Sequence, residues 1–181
     1  MKERKVSIDI VKANVFAVVL FVAAGIVFFV PYLLIWHKEG VDRIFSNPNS
    51  WLWFLLLSAV GIVVHELIHG ITWAHYAKSG WRSISFGMMW KYLTPYCHCN
   101  EPMRIRPYQL AALMPCIVLG IIPAVIGLCI GHPLLLIYGI FFISAAAGDI
   151  WMVWLLTKED PAATVLDYPS EAGFFIYEDE Y

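Results

Sequence analysis

Charge is scarce in this chain. Of 181 residues only 14% are Asp, Glu, Lys or Arg, while 60% are hydrophobic. A soluble domain of this length needs far more polar surface, so the composition excludes an ordinary water-soluble globule and points to an integral membrane protein. Cysteine is sparse too. Cys97 and Cys99 flank one histidine, and Cys116 and Cys129 lie in an apolar run. That pattern provides no disulfide framework, and one short Cys-His-Cys cluster supplies few metal ligands. Reduced cysteines in packing or loop roles are expected. The net charge of −2 gives no sign of nucleic-acid binding, and none is expected. Internal repeats and low-complexity tracts are also missing. No soluble domain is left once the apolar runs are set aside, so residues 1–181 read as a single membrane-embedded domain.

Four apolar runs approach or exceed the roughly 20 residues that a helix needs to cross a bilayer. They cover about 13–36, 51–77, 108–130 and 134–156. The first follows Met1-Lys2-Glu3-Arg4-Lys5 and is too long for a signal-peptide core, so it reads as an uncleaved anchor. Basic residues then set the orientation. Lys2, Arg4, Lys5 and Lys12 precede the first run. Lys78, Arg82, Lys91, Arg104 and Arg106 separate the second from the third, and Lys158 follows the fourth. Only Lys38 and Arg43 fall in the first loop. The positive-inside rule puts both termini and the middle loop in the cytoplasm of a multi-pass cell-membrane protein.

The middle segment, 81–103, differs in kind. Ser83-Ile84-Ser85-Phe86 alternates, and aromatic and β-branched residues continue to Tyr96, which predicts a small β-hairpin at the cytoplasmic face. The fold class is therefore all-α, with four transmembrane helices and a hairpin between the second and third. Pro115 and Pro123 predict kinks in the third helix. The polar tail, 157–181, reads as cytoplasmic, with one short strand near Gly173–Tyr177 and a solvated end.

One motif interrupts the apolar pattern. His65-Glu66-Leu67-Ile68-His69 is an H-E-x-x-H sequence inside the second run. On a helix its two histidines lie about 40° apart and about 6 Å along the axis, close enough to share one zinc ion. Glu66 projects about 100° away, beside the metal, where it can take a proton from an attacking water. Ionisable groups cost about 2.5–3.5 kcal/mol at the centre of a spanning helix, so three in one span call for a function.

A catalytic zinc needs a third protein ligand. Between Arg43 and Lys158 the acidic residues are Glu66, Glu101 and Asp149. Glu101 belongs to the polar middle loop. At about 1.5 Å per residue, His65 and His69 lie about 21 and 27 Å below Trp51, and Asp149 lies about 23 Å below Leu134. Matching depth in two helices of the same direction makes Asp149 the candidate. The small residues Ala145–Gly148 favour close helix packing there. His75 is the rival, but in a continuous helix it lies about 15 Å from His65 along the axis. It reads as interfacial, as do His37 and His132. His98 and Asn100 are the candidates for stabilising the oxyanion of a bound substrate.

With these residues the chain resembles the putative zincin peptidase family of small membrane proteins, a family similar to the site-2 protease clan. The resemblance rests on His65-Glu66-Leu67-Ile68-His69-Gly70, on Tyr96 to Pro102, on Pro115 with Gly120, on Gly148-Asp149, and on Asp167-Tyr168-Pro169 with Gly173. It implies zinc held by His65, His69 and Asp149, with Glu66 activating water. It further implies cleavage of a peptide or membrane-protein substrate at or within the bilayer, with the strand-like middle segment near that substrate. The chain departs from the better-known clan members in lacking Asn-Pro before the aspartate and Leu-Asp-Gly around it. Two other classes use the same residues: a metal that only staples two helices, or a proton or ion relay.

Overall fold

The computed structural model describes residues 2–90, 94–168 and 173–178. Within a bilayer a long apolar run has no polar partner for its backbone outside itself, and helix satisfies it. Three helices are long and apolar enough to cross a membrane: α1 (Ile10–Trp36), α3 (Pro48–Tyr76) and α4 (Ile105–Ile130), with the short α2 (Glu39–Phe45) joining the first two. The run expected as one helix over 134–156 is two, α5 (Pro133–Ala145) and α6 (Ala147–Leu156), bent by 46°. Ala146 between them adopts φ −78°, ψ 13°, which ends one hydrogen-bond ladder and lets another begin. Pro31 and Pro123 lack the N–H an α-helix needs, and each follows a π-type turn, Gly25–Phe29 or Cys116–Ile121. A widened turn thus stands where the two prolines of α4 predict a kink.

The all-α expectation falls short, because two small antiparallel sheets accompany the helices. Strands β2 (Ile84–Met89) and β3 (Thr94–Cys99) pair with each other between α3 and α4. The other sheet has the order β1 (Lys2–Ser7), β6 (Gly173–Glu178), β5 (Thr164–Asp167), β4 (Met103–Arg104). It joins three segments far apart in sequence. Its local signals are weak: β1 reads as a charged lead-in, and β4 has two residues. The tail, expected to hold one short strand near Gly173–Tyr177, forms two, while its last residues, 179–181, lie outside the described ones.

The chain divides into two compact units. One comprises residues up to Ala13, Val64–Met114 and Gly148 onward. Its core gathers Trp73, Tyr108, Ala111, Leu156, Val165, Phe174 and Ile176 with Cys97 and Cys99, so sheet and helix ends share one apolar interior. The other, Asn14–Val63 with Pro115–Ala147, contains helix alone. There α4 and α5 meet backbone to backbone. A β-carbon on Gly139 would lie 2.6 Å from the Gly120 carbonyl oxygen and 2.8 Å from the Ala124 Cα, so only glycine fits.

Candidate metal centre

The polar residues of α3 and α6 converge within the sheet-bearing unit. His65 and His69 are one helical turn apart and both buried. Asp149 sits in the first turn of α6. The break at Ala146 therefore does local work: it creates a helix N-terminus, whose dipole favours an anion, at the aspartate. A straight helix would have offered no such field at that depth.

The ligand atoms of His65, His69 and Asp149 all lie within 4.8 Å of one another. His65 Nε2 is 3.1 Å from Asp149 Oδ2, His69 Nε2 is 3.2 Å from His65 Nε2, and His69 Nε2 is 3.4 Å from Asp149 Oδ1. Donors about 2.0–2.1 Å from a tetrahedral zinc are separated by about 3.3 Å. The separation between the two imidazole nitrogens and their separations from the two oxygens of Asp149 all lie close to that value.

The hydrogen bonds support the same conclusion. His69 Nδ1 is 3.0 Å from the Ala111 carbonyl oxygen, which can only accept, so Nδ1 carries the proton and Nε2 presents a lone pair. That lone pair faces the His65 Nε2 and an acceptor-only carboxylate oxygen, a setting that suits a shared cation. Ala111 is available because of Pro115. Four residues along α4, where an amide would bond the Ala111 carbonyl, the proline offers no N–H. The freed carbonyl orients a candidate ligand, the arrangement by which metal sites fix imidazole tautomer and direction. Pro115, one of the residues carrying the family resemblance, thereby acquires a physical role.

Glu66 stands beside this cluster, half-buried, with the backbone N–H of Cys97 in β3 next to its carboxylate. The hairpin reaches it because of Gly70. A β-carbon there would lie 2.6 Å from Phe86 Cζ and 3.3 Å from Ile84 Cγ2, so the glycine lets β2 close on the helix. Gly61, at the other side of the motif, is filled over by Phe142 and Tyr138 in the helical unit.

Other candidates lie elsewhere. His75 is exposed and packs against Tyr76. His37 and His132 are exposed, and the His132 ring caps α5 by accepting from the Leu135 N–H at 3.2 Å. Asn100 is exposed, with its amide donating to the Ser83 carbonyl and to Ser85 Oγ within the hairpin. His98 lies against Tyr96, with ring centroids 4.4 Å apart, and burial pushes its pKa down, so it favours the neutral ring. Burial likewise pushes the Cys97 thiol well up, which suits a packing cysteine rather than a reactive one.

Sequence reasoning missed three groups around the cluster. They are Trp73, stacked on His69 with centroids 5.0 Å apart and planes at 16°, Tyr108 against Trp73, and Asp167. The Asp167 carboxylate accepts from the Cys99 N–H and the Tyr108 hydroxyl, yet burial outweighs both and pushes its pKa up. The available signal was the Asp167-Tyr168-Pro169 triplet, which had no chemistry attached to it.

Two histidines one turn apart, a carboxylate from a second helix, and a further carboxylate alongside define the class of hydrolytic metal centres. The chain belongs to the family described as putative zincin peptidase, which it matches over residues 58–164. That region holds all four residues. Membership points to a metallopeptidase-like hydrolase and to zinc as its metal. None of the curated proteins and none of the solved structures matches the chain.

Proposed function

We propose that the chain is an intramembrane zinc metallopeptidase, in which His65, His69 and Asp149 hold the metal and Glu66 handles the proton. The observation that carries the reading is the three-way convergence of ligand atoms with Glu66 beside it. A bound zinc ion would supply Lewis acidity, polarising the scissile carbonyl and making a nearby water more acidic. Glu66 accepts the proton of the attacking water and returns it to the leaving amine. The Cys97 N–H fixes the direction of that carboxylate. The Ala111 carbonyl keeps the His69 imidazole in its ligating tautomer, and the apolar surroundings limit water to the reaction. The substrate is a peptide or membrane protein presented in extended form, since a helical peptide bond is shielded from attack.

Sheet pairing supports a four-span arrangement. Strands β1, β4, β5 and β6 lie in one sheet, which requires them to share one side of a membrane. Between β1 and β4 the chain then crosses an even number of times, as α1 and α3 do. Between β4 and β5 it leaves through α4 and must return, so α5 and α6 together make one broken span. The distribution of basic residues assigns that shared side, with both termini, to the cytoplasm.

The test is metal analysis of the purified protein beside His65→Ala, with cleavage of fluorescein-labelled casein as the probe. One equivalent of zinc is expected, lost in His65→Ala. Glu66→Gln is expected to keep the zinc and lose cleavage by about 10²–10⁴-fold, the usual contribution of a positioned base. Zinc retained by His65→Ala, or full turnover by Glu66→Gln, sinks the reading. A metal that only staples helices would be bound by the parent and by Glu66→Gln, and neither would cleave.

A further inference from the structure

Among the described residues strand β3 pairs with one strand, β2. The Asn100 N–H, just beyond the strand, donates to the Ser83 carbonyl at 2.7 Å. In an antiparallel ladder with Ser85 opposite His98 and Gly87 opposite Tyr96, this places the even-numbered residues of β3 on the bonded side. The N–H groups of Cys97 and Cys99 therefore point away from β2, and Pro95 has none. An outer edge of this kind is ordinarily open to another strand.

Two carboxylates close it instead. The Cys97 N–H lies next to Glu66, and the Cys99 N–H donates to Asp167 Oδ2 at 2.8 Å. The other oxygen of Asp167 accepts from the Tyr108 hydroxyl. Tyr108 in turn lies against Trp73, and Trp73 stacks on His69. Asp167, Tyr108, Trp73 and Cys99 are all buried. Asp167 thus stands where two routes meet: one runs through two residues of strand to Glu66, the other through two rings to His69.

We propose that Asp167 is a positioning residue, a latch that holds β3 in the register presenting the Cys97 N–H to Glu66, and that steadies the His69 ring through Tyr108 and Trp73. The proposal rests on the reading of Glu66 as the proton acceptor. A carboxylate side chain rotates freely unless something aims it, and an error of about 1 Å in such a group costs about 10²-fold in rate. A two-stranded hairpin is too weak to hold its own position. Anchoring one end of β3 to a buried carboxylate of β5 makes the strand rigid where it meets the base. The Cys97-His98-Cys99 cluster and the Asp167-Tyr168-Pro169 triplet, two motifs without chemistry of their own, become the two sides of one clasp.

The test uses the full chain in detergent, with Cys99, Cys116 and Cys129 replaced by serine so that Cys97 is the single thiol. Three readings are taken on the same samples: the rate of Cys97 alkylation by N-ethylmaleimide, zinc affinity, and kcat and KM for labelled casein. Asp167→Leu removes both acceptors at similar volume. Asp167→Asn keeps an oxygen for the Cys99 N–H and an amide that can donate to a rotated Tyr108 hydroxyl. Asp167→Leu is expected to speed alkylation about tenfold or more, since a buried, charge-assisted hydrogen bond no longer opposes opening. It is also expected to weaken zinc binding about tenfold, as loss of an outer partner does, and to lower kcat with little change in KM. Asp167→Asn is expected to restore all three to near the parent.

Unchanged alkylation in a folded Asp167→Leu protein overturns the latch. So does an Asp167→Asn protein that behaves like Asp167→Leu, because volume alone would then explain the effect. Faster alkylation with kcat intact shows a strand held by Asp167 that does not aim the base, and the proposal fails on that ground. Should Asp167→Leu not fold, Tyr108→Phe carries the same expectations at about threefold, having lost one donor. If the parent cleaves no casein, the hydrolase reading is what fails, while alkylation and zinc affinity still decide the latch.

Discussion

The two units bury their interiors by opposite means. In the sheet-bearing unit several buried polar groups are joined in specific pairs: His69 to the Ala111 carbonyl, and Asp167 to Cys99 and Tyr108. In the helical unit, contact comes from small residues, with Gly120, Ala124 and Gly127 of α4 lying against the α5 backbone around Leu136, Gly139 and Ile143. In a bilayer, where lipid offers no water to displace, helices associate through close van der Waals packing, which small residues permit. Polar pairs add direction to that attraction, and direction is what a metal site and an aimed carboxylate need. One unit leans on paired polar side chains, the other on close backbone approach, to which Tyr32, Trp36 and Ser144 add hydrogen bonds to carbonyls. Substitutions should sort accordingly.

The largest effect is expected at the third ligand. Asp149→Ala should lose zinc and abolish cleavage, because two imidazoles remain without a third donor and face each other 3.2 Å apart. His75→Ala should leave both intact, since that ring is exposed and contacts Tyr76. Zinc stoichiometry of the two variants in one detergent decides the matter. Retention of zinc by Asp149→Ala with loss from His75→Ala would move the site along α3 and dissolve the contrast between the units.

Topology sharpens the comparison next. If one sheet joins β1, β4, β5 and β6, single cysteines replacing Lys2 and Arg82 should both be shielded from an impermeant thiol reagent in intact cells, in a background without the native cysteines. One replacing Asn47 should react. Ten basic residues on the shielded side against Lys38 and Arg43 on the other motivate the direction. Labelling at position 82 from outside would reverse the orientation, and unlike results at positions 2 and 82 would break the four-span arrangement itself.

The cluster was legible in the sequence for a physical reason. Acidic residues are so scarce between Arg43 and Lys158 that a depth estimate leaves one partner for the two histidines. The apolar runs were legible because lipid demands length and composition together. What escaped depends on contacts between segments far apart in the chain. Strand β4 has two residues and β1 is largely charged, so neither carries a periodic signal. Asp167 looks like any acidic residue of a polar tail until β5 pairs with β6 and buries it. Pro115 reads as a kink, whereas its effect is to leave the Ala111 carbonyl free for His69. The break at Ala146 was invisible because a run of alanines favours continued helix.

The smallest expected effect, and the finest test of chemistry against shape, compares two glycines on neighbouring helices. Gly139 of α5 faces backbone: a β-carbon would lie 2.6 Å from the Gly120 oxygen and 2.8 Å from the Ala124 Cα, and backbone atoms cannot rotate aside. Gly148 of α6, beside Asp149, would place a β-carbon with nothing within 4 Å. Both sit in helices, where alanine is intrinsically favoured over glycine by about 1 kcal/mol. At Gly148 that preference is unopposed, so Gly148→Ala should stabilise the protein by about 0.5–1 kcal/mol with zinc binding unchanged. At Gly139 the helices must separate, and Gly139→Ala should destabilise by about 1–3 kcal/mol, the usual cost of overpacking. Unfolding midpoints in a common detergent give the two signs. Equal signs would mean that helix propensity governs both positions, and that close approach of α4 and α5 is not what holds the helical unit together.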